Sequence, residues 1–130
     1  MSTLHHIISG RARLAADVAG RGDPVVFLHA AVFDRTMWRA QMVGVAKTHK
    51  VIAYDRRGFG ETIADEEGHS PVADLLAIVD AFAGDRPATL VACSQGGRIA
   101  FDFALRHPSR VDALVLIAPS VSGAPEPVYP

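Results

Sequence analysis

Residues 88–106 read ATLVACSQGGRIAFDFALR, and the order of side chains in this stretch decides the fold. Ala88 to Ala92 is a short apolar run, the pattern of a buried strand. From Gln95 to Arg106 the spacing becomes helical, with Ile99, Phe103 and Leu105 on or near one face. A chain that passes from strand to helix within a few residues must turn sharply, and small side chains must flank the turn. Ala92 stands two before Ser94, and Gly96 stands two after it. Such a turn would lift the Ser94 hydroxyl off the carboxyl end of the strand. It would then sit at the head of a helix whose dipole favours developing negative charge. Cys93 is a rival nucleophile by chemistry, but the residue two beyond it is Gln95, which is too large, so Cys93 reads as a buried apolar packer. The reading without chemistry is a capping Ser at a tight strand-to-helix turn.

Working outward, the totals set bounds. A length of 130 residues suits one domain, 1–130, that can bury a real core. An apolar fraction of 49% with a net charge of −1 suits a globular chain. No basic excess points to nucleic acid, and no charge block points to a tail. One cysteine excludes an internal disulfide and a multi-cysteine metal site. The first twenty residues hold no apolar core of signal-peptide length, and no run reaches membrane-spanning length, so a cytoplasmic location is expected.

In chain order, Leu4–Ile8 and Ala12–Val18 read as a hairpin turning at Ser9-Gly10. His5 and His6 lie on its first strand, with no third ligand near them for a metal. Val25–Leu28 is wholly apolar, as a central parallel strand should be. Thr36–Lys47 carries Met37, Trp38, Met42, Val43 and Val45 at amphipathic helical spacing. Val51–Tyr54 is the next buried strand. Gly58-Phe59-Gly60 follows it and invites a nucleotide-binding reading. However, Ile63 holds the place of the third glycine, and the acidic stretch 64–68 opens no helix for a pyrophosphate. Ser70-Pro71 is a cap followed by Pro at the first helical position, and Gly84 ends that helix. Asp74 in its first turn complements the dipole, and His69 just before the cap reads as a solvated loop residue. His107-Pro108 stops the next helix, Val111–Ile117 is a further strand, and the segment from Ala124 to Pro130 is Pro-rich without pattern. Strands and helices alternate, which predicts an α/β fold with a mostly parallel sheet of about six strands and flanking helices.

From about Ala12 to Ser120 the chain resembles the α/β-hydrolase family. Ala92-Cys93-Ser94-Gln95-Gly96 matches its nucleophile elbow, with Ala for the usual first Gly. His29-Ala30-Ala31 stands where the family has His-Gly-x, and Asp55-Arg56-Arg57-Gly58-Phe59-Gly60 resembles its Asp-x-Arg-Gly-x-Gly turn. The resemblance implies that Ser94 is the catalytic nucleophile and that the N–H groups of Ala31 and Gln95 form the oxyanion hole. It implies structural work for His29, Asp55 and Arg57. Ala30 in place of Gly would be mildly strained if its φ were positive.

The family's order is Ser, then an acid, then His. After Ser94 the loop beyond Val111–Ile117 has no acid before Glu126, and the only later histidine, His107, lies at the far end of the elbow helix. The chain thus looks like the amino-terminal half of an α/β-hydrolase. It would be a fragment, a truncated product or one piece of a split enzyme, with a carboxyl-terminal half as a possible partner. The function implied is esterase-like hydrolysis of a small-molecule acyl substrate, without cofactor or metal and without nucleic-acid or membrane partners. A Ser nucleophile argues against the dehalogenase and epoxide-hydrolase branches, which use Asp. It does not separate esterases from thioesterases, C–C hydrolases, peptidases or cofactor-free peroxidases on the same scaffold. The alternative is a non-catalytic hydrolase-derived fragment serving as an interaction module.

Overall fold

The computed structural model describes residues 2–64, 68–120, 123 and 125. The acidic positions 65–67, Glu126 and most of the Pro-rich end lie outside the described residues. Six strands form one mixed sheet: β1 (Thr3–Ser9), β2 (Ala12–Ala19), β3 (Pro24–Leu28), β4 (Lys50–Tyr54), β5 (Ala88–Cys93) and β6 (Val111–Ile117). Their spatial order is β1-β2-β4-β3-β5-β6. β1 and β2 form an antiparallel hairpin, β2 joins β4 antiparallel, and β4, β3, β5 and β6 run parallel to one another. The carboxyl ends of β4, β3 and β5 therefore open at one edge of the sheet, where an open α/β sheet binds ligands.

Alternation along β3 divides the core. Val26 and Leu28 face one side with Leu14, Ile52, Tyr54, Leu90 and Ala92. Two helices cover that side, α2 (Pro71–Ala83) through Leu75, Ile78 and Val79, and α3 (Gln95–Arg106) through Ile99, Ala100 and Phe103. Val25 and Phe27 face the other side, where Trp38 and Met42 cover them together with Val51 and Ala53. α2 begins as expected, with the Ser70 side chain accepting from the Ala73 N–H, and ends at Gly84 with φ 64.

The amphipathic stretch expected over Thr36–Lys47 is two pieces. A 3₁₀ turn, Arg35–Trp38, precedes the short helix α1 (Arg39–Val45). Asp34 sets the tight turn, its carboxylate accepting from the Thr36 N–H at 2.8 Å and the Thr36 hydroxyl at 2.5 Å. Val43, 71% exposed, and Leu105, 69% exposed, point to solvent although their spacing placed them near apolar faces. α1 lies over β3 and β4 but not over β5 and β6. On that uncovered face Val91 and Cys93 are half-buried, while Val115 and Ile117 stand 46% and 45% exposed. β6 is also an edge of the sheet. No helix of the described residues is long and apolar enough to cross a membrane.

Candidate active site

Ser94 stands alone between the last residue of β5 and the first of α3, with φ 52 and ψ −116. A non-glycine residue rarely holds a positive φ, and the surroundings must enforce it. Here the Ser94 N–H donates to the Ile117 carbonyl at 3.0 Å, and the Ser94 carbonyl accepts from the Gly97 N–H at 2.9 Å and the Ser120 N–H at 3.0 Å. The hydroxyl makes no cap bond to the helix it precedes. Small residues follow because neighbours come close. A Cβ on Gly96 would lie 2.7 Å from the Leu28 carbonyl oxygen and 2.8 Å from that of His29. A Cβ on Gly97 would lie 2.7 Å from the Pro119 Cβ. The elbow is thus pressed against the end of β3.

The loop after β3 carries the second element. His29 is fully buried; its Nδ1–H donates to the Ala30 carbonyl at 2.8 Å, and its Nε2 accepts from the Arg56 N–H at 3.0 Å. These bonds fix one neutral tautomer. Burial lowers the ring's pKa below its ordinary value, against the opposing pull of the Ala30 carbonyl. Ala30 keeps a negative φ, so the condition for strain there is not met; the positive φ of this loop lies at Val32, φ 60, and the Ala30 N–H reaches the Met37 Sδ at 3.5 Å. Val32, 90% exposed, and Phe33, 55% exposed, form the tip of the loop. Among the described residues no acceptor takes the N–H of Ala31 or that of Gln95.

The loop after β4 ties these parts down. The fully buried Asp55 carboxylate accepts from the Arg35 N–H at 2.7 Å, from Arg35 Nη1 at 2.6 Å and from the Glu61 N–H at 2.8 Å. Gly60, with φ 54, is required because any Cβ there would strike that carboxylate. Arg57 forks onto Asp74 at 3.0 Å from both Nε and Nη2, and Nη2 also donates to the Ser9 carbonyl at 3.0 Å. Asp74 is therefore a buried ion-pair partner as well as a helix-start charge. His69, expected in solvent, stands with Nε2 3.0 Å from the Ser9 hydroxyl, which itself donates to Asp74 at 2.7 Å. The reason is that the hairpin folds back over the start of α2, a contact between residues some sixty apart in sequence.

None of these histidines serves Ser94. His29 is committed on both nitrogens and His69 faces Ser9. His107 packs its ring on Phe103 at 5.0 Å, at the far end of α3. Among the described residues no three His, Cys, Asp or Glu side chains come together as a metal site requires.

A mixed, mostly parallel sheet, a strained serine at a strand-to-helix elbow and three loops converging beside it define an α/β-hydrolase. Residues 23–129 match the family described as alpha/beta hydrolase fold, and the chain belongs to that family. It is 40% identical over 105 residues to a 2-hydroxy-6-oxo-2,4-heptadienoate hydrolase of Pseudomonas putida, covering 75% of this chain and 38% of that protein. It is 36% identical over 118 residues to a 2-hydroxymuconate semialdehyde hydrolase of a Pseudomonas species, covering 85% of this chain and 41% of the relative. Among solved structures, potato epoxide hydrolase I superposes with a TM-score of 0.83 at 26% identity, over 89% of this chain and 39% of that one. A thermophilic esterase from Thermogutta terrifontis gives 0.79 at 28% identity, over 92% and 46%. The chain spans about two fifths of the length of these two hydrolase relatives.

Proposed function

We propose that this chain carries the nucleophile half of a serine hydrolase that cleaves acyl substrates through Ser94. The observation that carries the reading is Ser94 itself, held at φ 52 on the β5–α3 turn with its hydroxyl uncommitted to the helix. In this mechanism the Ser94 Oγ attacks the substrate carbonyl carbon and its proton passes to a base. The N–H groups of Ala31 and Gln95, which no acceptor among the described residues takes, receive the oxyanion. The carbonyl re-forms as the leaving group departs with a proton, and water then releases the acyl group from Ser94. A Ser nucleophile favours acyl chemistry over epoxide opening, although epoxide hydrolases share the fold. The first two relatives, named for unsaturated oxo-acid and semialdehyde substrates, make a ketone-bearing acid a reasonable acyl donor alongside simple esters.

The base and its acid partner are proposed to come from a segment outside residues 1–130, since no histidine described above serves Ser94. Losing the His of a related triad costs on the order of a millionfold in turnover. An oxyanion site without a base leaves roughly a thousandfold over water. The test is turnover of a short-chain activated ester by the purified 130-residue chain and its Ser94→Ala variant. Residues 1–130 should show no Ser94-dependent turnover at enzyme-like rates. Adding a carboxyl-terminal polypeptide that carries Asp and His should create it, and Ser94→Ala should abolish it. Activity in the completed protein that survives Ser94→Ala would refute the nucleophile. Robust Ser94-dependent activity in the chain alone would refute the external base.

A further inference from the structure

Arg56, in the loop after β4, touches both halves of the proposed oxyanion site. Its Nε donates to the His29 carbonyl at 3.0 Å, and its Nη2 donates to Gln95 Oε1 at 2.9 Å. Its own N–H donates to His29 Nε2 at 3.0 Å. The guanidinium lies over the Phe59 ring at 4.8 Å, and that ring meets His29 edge-on at 5.1 Å. The residue is only 6% exposed, yet among the described residues no carboxylate pairs with it. Its neighbours differ: Arg35 has Asp17, Asp55 and Glu61, and Arg57 has Asp74. Burying a cation without a counter-ion is expensive, and two neutral acceptors offset that only in part. An arginine kept there as simple packing would be a poor solution.

We propose that Arg56 is a positioning residue, a clamp that fastens the loop carrying Ala31 to the elbow carrying Gln95, so that the two N–H donors keep a fixed separation. This rests on the reading of Ser94 and its oxyanion site given above. His29 is two residues before Ala31, and Gln95 supplies the other donor, so the guanidinium spans the two segments directly. The planar fork suits this task; the point charge of Lys could hold only one of the two acceptors well. Donor misplacement of about an ångström is enough to cost on the order of a hundredfold in rate.

The experiment is relaxation-dispersion NMR on the ¹⁵N-labelled 130-residue chain, which reads μs–ms exchange residue by residue. The samples all carry Val115→Lys with Ile117→Lys, which removes the exposed apolar pair on β6 and keeps the chain monomeric; they are this parent alone and with Arg56→Met, Arg56→Lys or Arg57→Met. The parent should give flat profiles over residues 29–33 and 94–96. Arg56→Met should lose that flatness in both segments together, and Arg56→Lys to a smaller extent. Arg57→Met, which breaks the Asp74 pair instead, should lower the thermal midpoint without that paired signature. Flat profiles in a folded Arg56→Met, or the same signature from Arg57→Met, would overturn the clamp. Should Arg56→Met fail to fold, Arg56→Lys decides: exchange confined to the two segments supports the proposal, and its absence refutes it. In a protein completed with Asp and His, Arg56→Met should lower kcat on the order of a hundredfold with KM changed far less. The NMR readout does not involve Ser94 chemistry, so a failed Ser94→Ala assay would count against the nucleophile and not against the clamp.

Discussion

Gly96→Ala and Gly44→Ala are the same chemical change, and the structure predicts opposite signs for them. Gly44 lies in α1, and a Cβ there would meet nothing within 4 Å. Only the helix preference of Ala over Gly then acts, so the variant should gain about 0.5–1 kcal/mol. At Gly96 the same preference is opposed by two backbone oxygens, at 2.7 and 2.8 Å from the added carbon. Ordinary contact begins near 3.4 Å, so α3 must retreat from the end of β3 by about 0.7 Å. Neither oxygen can swing away, because Leu28 lies in the ladder and the His29 carbonyl is held by Arg56. The retreat loosens Ile99, Ala100 and Phe103 against the sheet. Overpacking of this kind costs about 1–3 kcal/mol, leaving a net loss of roughly 0–2.5 kcal/mol, centred near 1, after the helix gain. Per kcal/mol, a domain of this size moves by about 3–5 °C in Tm. Thermal unfolding by circular dichroism on both variants under identical conditions is the assay. A folded Gly96→Ala with a Tm at or above wild type would refute the close-approach argument. A loss in Gly44→Ala would show that the substitution, rather than the contact, sets the sign.

Asp55→Asn should cost about 3 kcal/mol, read as a fall in urea midpoint. It strips the charge from a buried acceptor of Arg35 while Asp17 and Glu61 compensate only in part. His29 should make stability pH-dependent. Its folded pKa lies below the ordinary 6.5, so the unfolded chain binds the proton more readily. The contribution is complete above about pH 6.5 and is lost as pH falls from there through the lower folded value; His29→Gln should flatten that part of a pH series of unfolding curves. The chain alone should self-associate through β6 and the bare face beside it, where Val115 and Ile117 are exposed. Sedimentation velocity should find oligomers in wild type and monomer after Val115→Lys with Ile117→Lys; a monomeric wild type would refute this.

Local chemistry made much of this fold legible. The strand Val111–Ile117 and the helices after Ser70 and Ser94 follow from apolar runs, a cap-Pro pair and small residues around one Ser, all set within a few neighbours. The loop partners were hidden because they are tertiary. Asp55 with Arg35, Arg57 with Asp74 and Ser9 with His69 join segments that no periodicity relates. Arg56 occupies the variable place of its turn, so no pattern singled it out; only the paths of three loops bring it between His29 and Gln95. The 3₁₀ turn at Arg35–Trp38 also escaped the apolar spacing, because a side-chain bond from Asp34 decides it.

Ser94 and Val32 share a property that bears on how this chain could change. Both hold left-handed backbone, φ 52 and φ 60, in the two loops that meet at the elbow. Each such residue costs about 1–2 kcal/mol that glycine would not. A population of variants selected only for surviving heat would therefore drift toward glycine at both positions, and the first such step at 94 would delete the hydroxyl. Heat tolerance and chemistry pull this residue in opposite directions. Thermostable descendants obtained without an activity screen should be sequenced at position 94 before anything else is concluded from them.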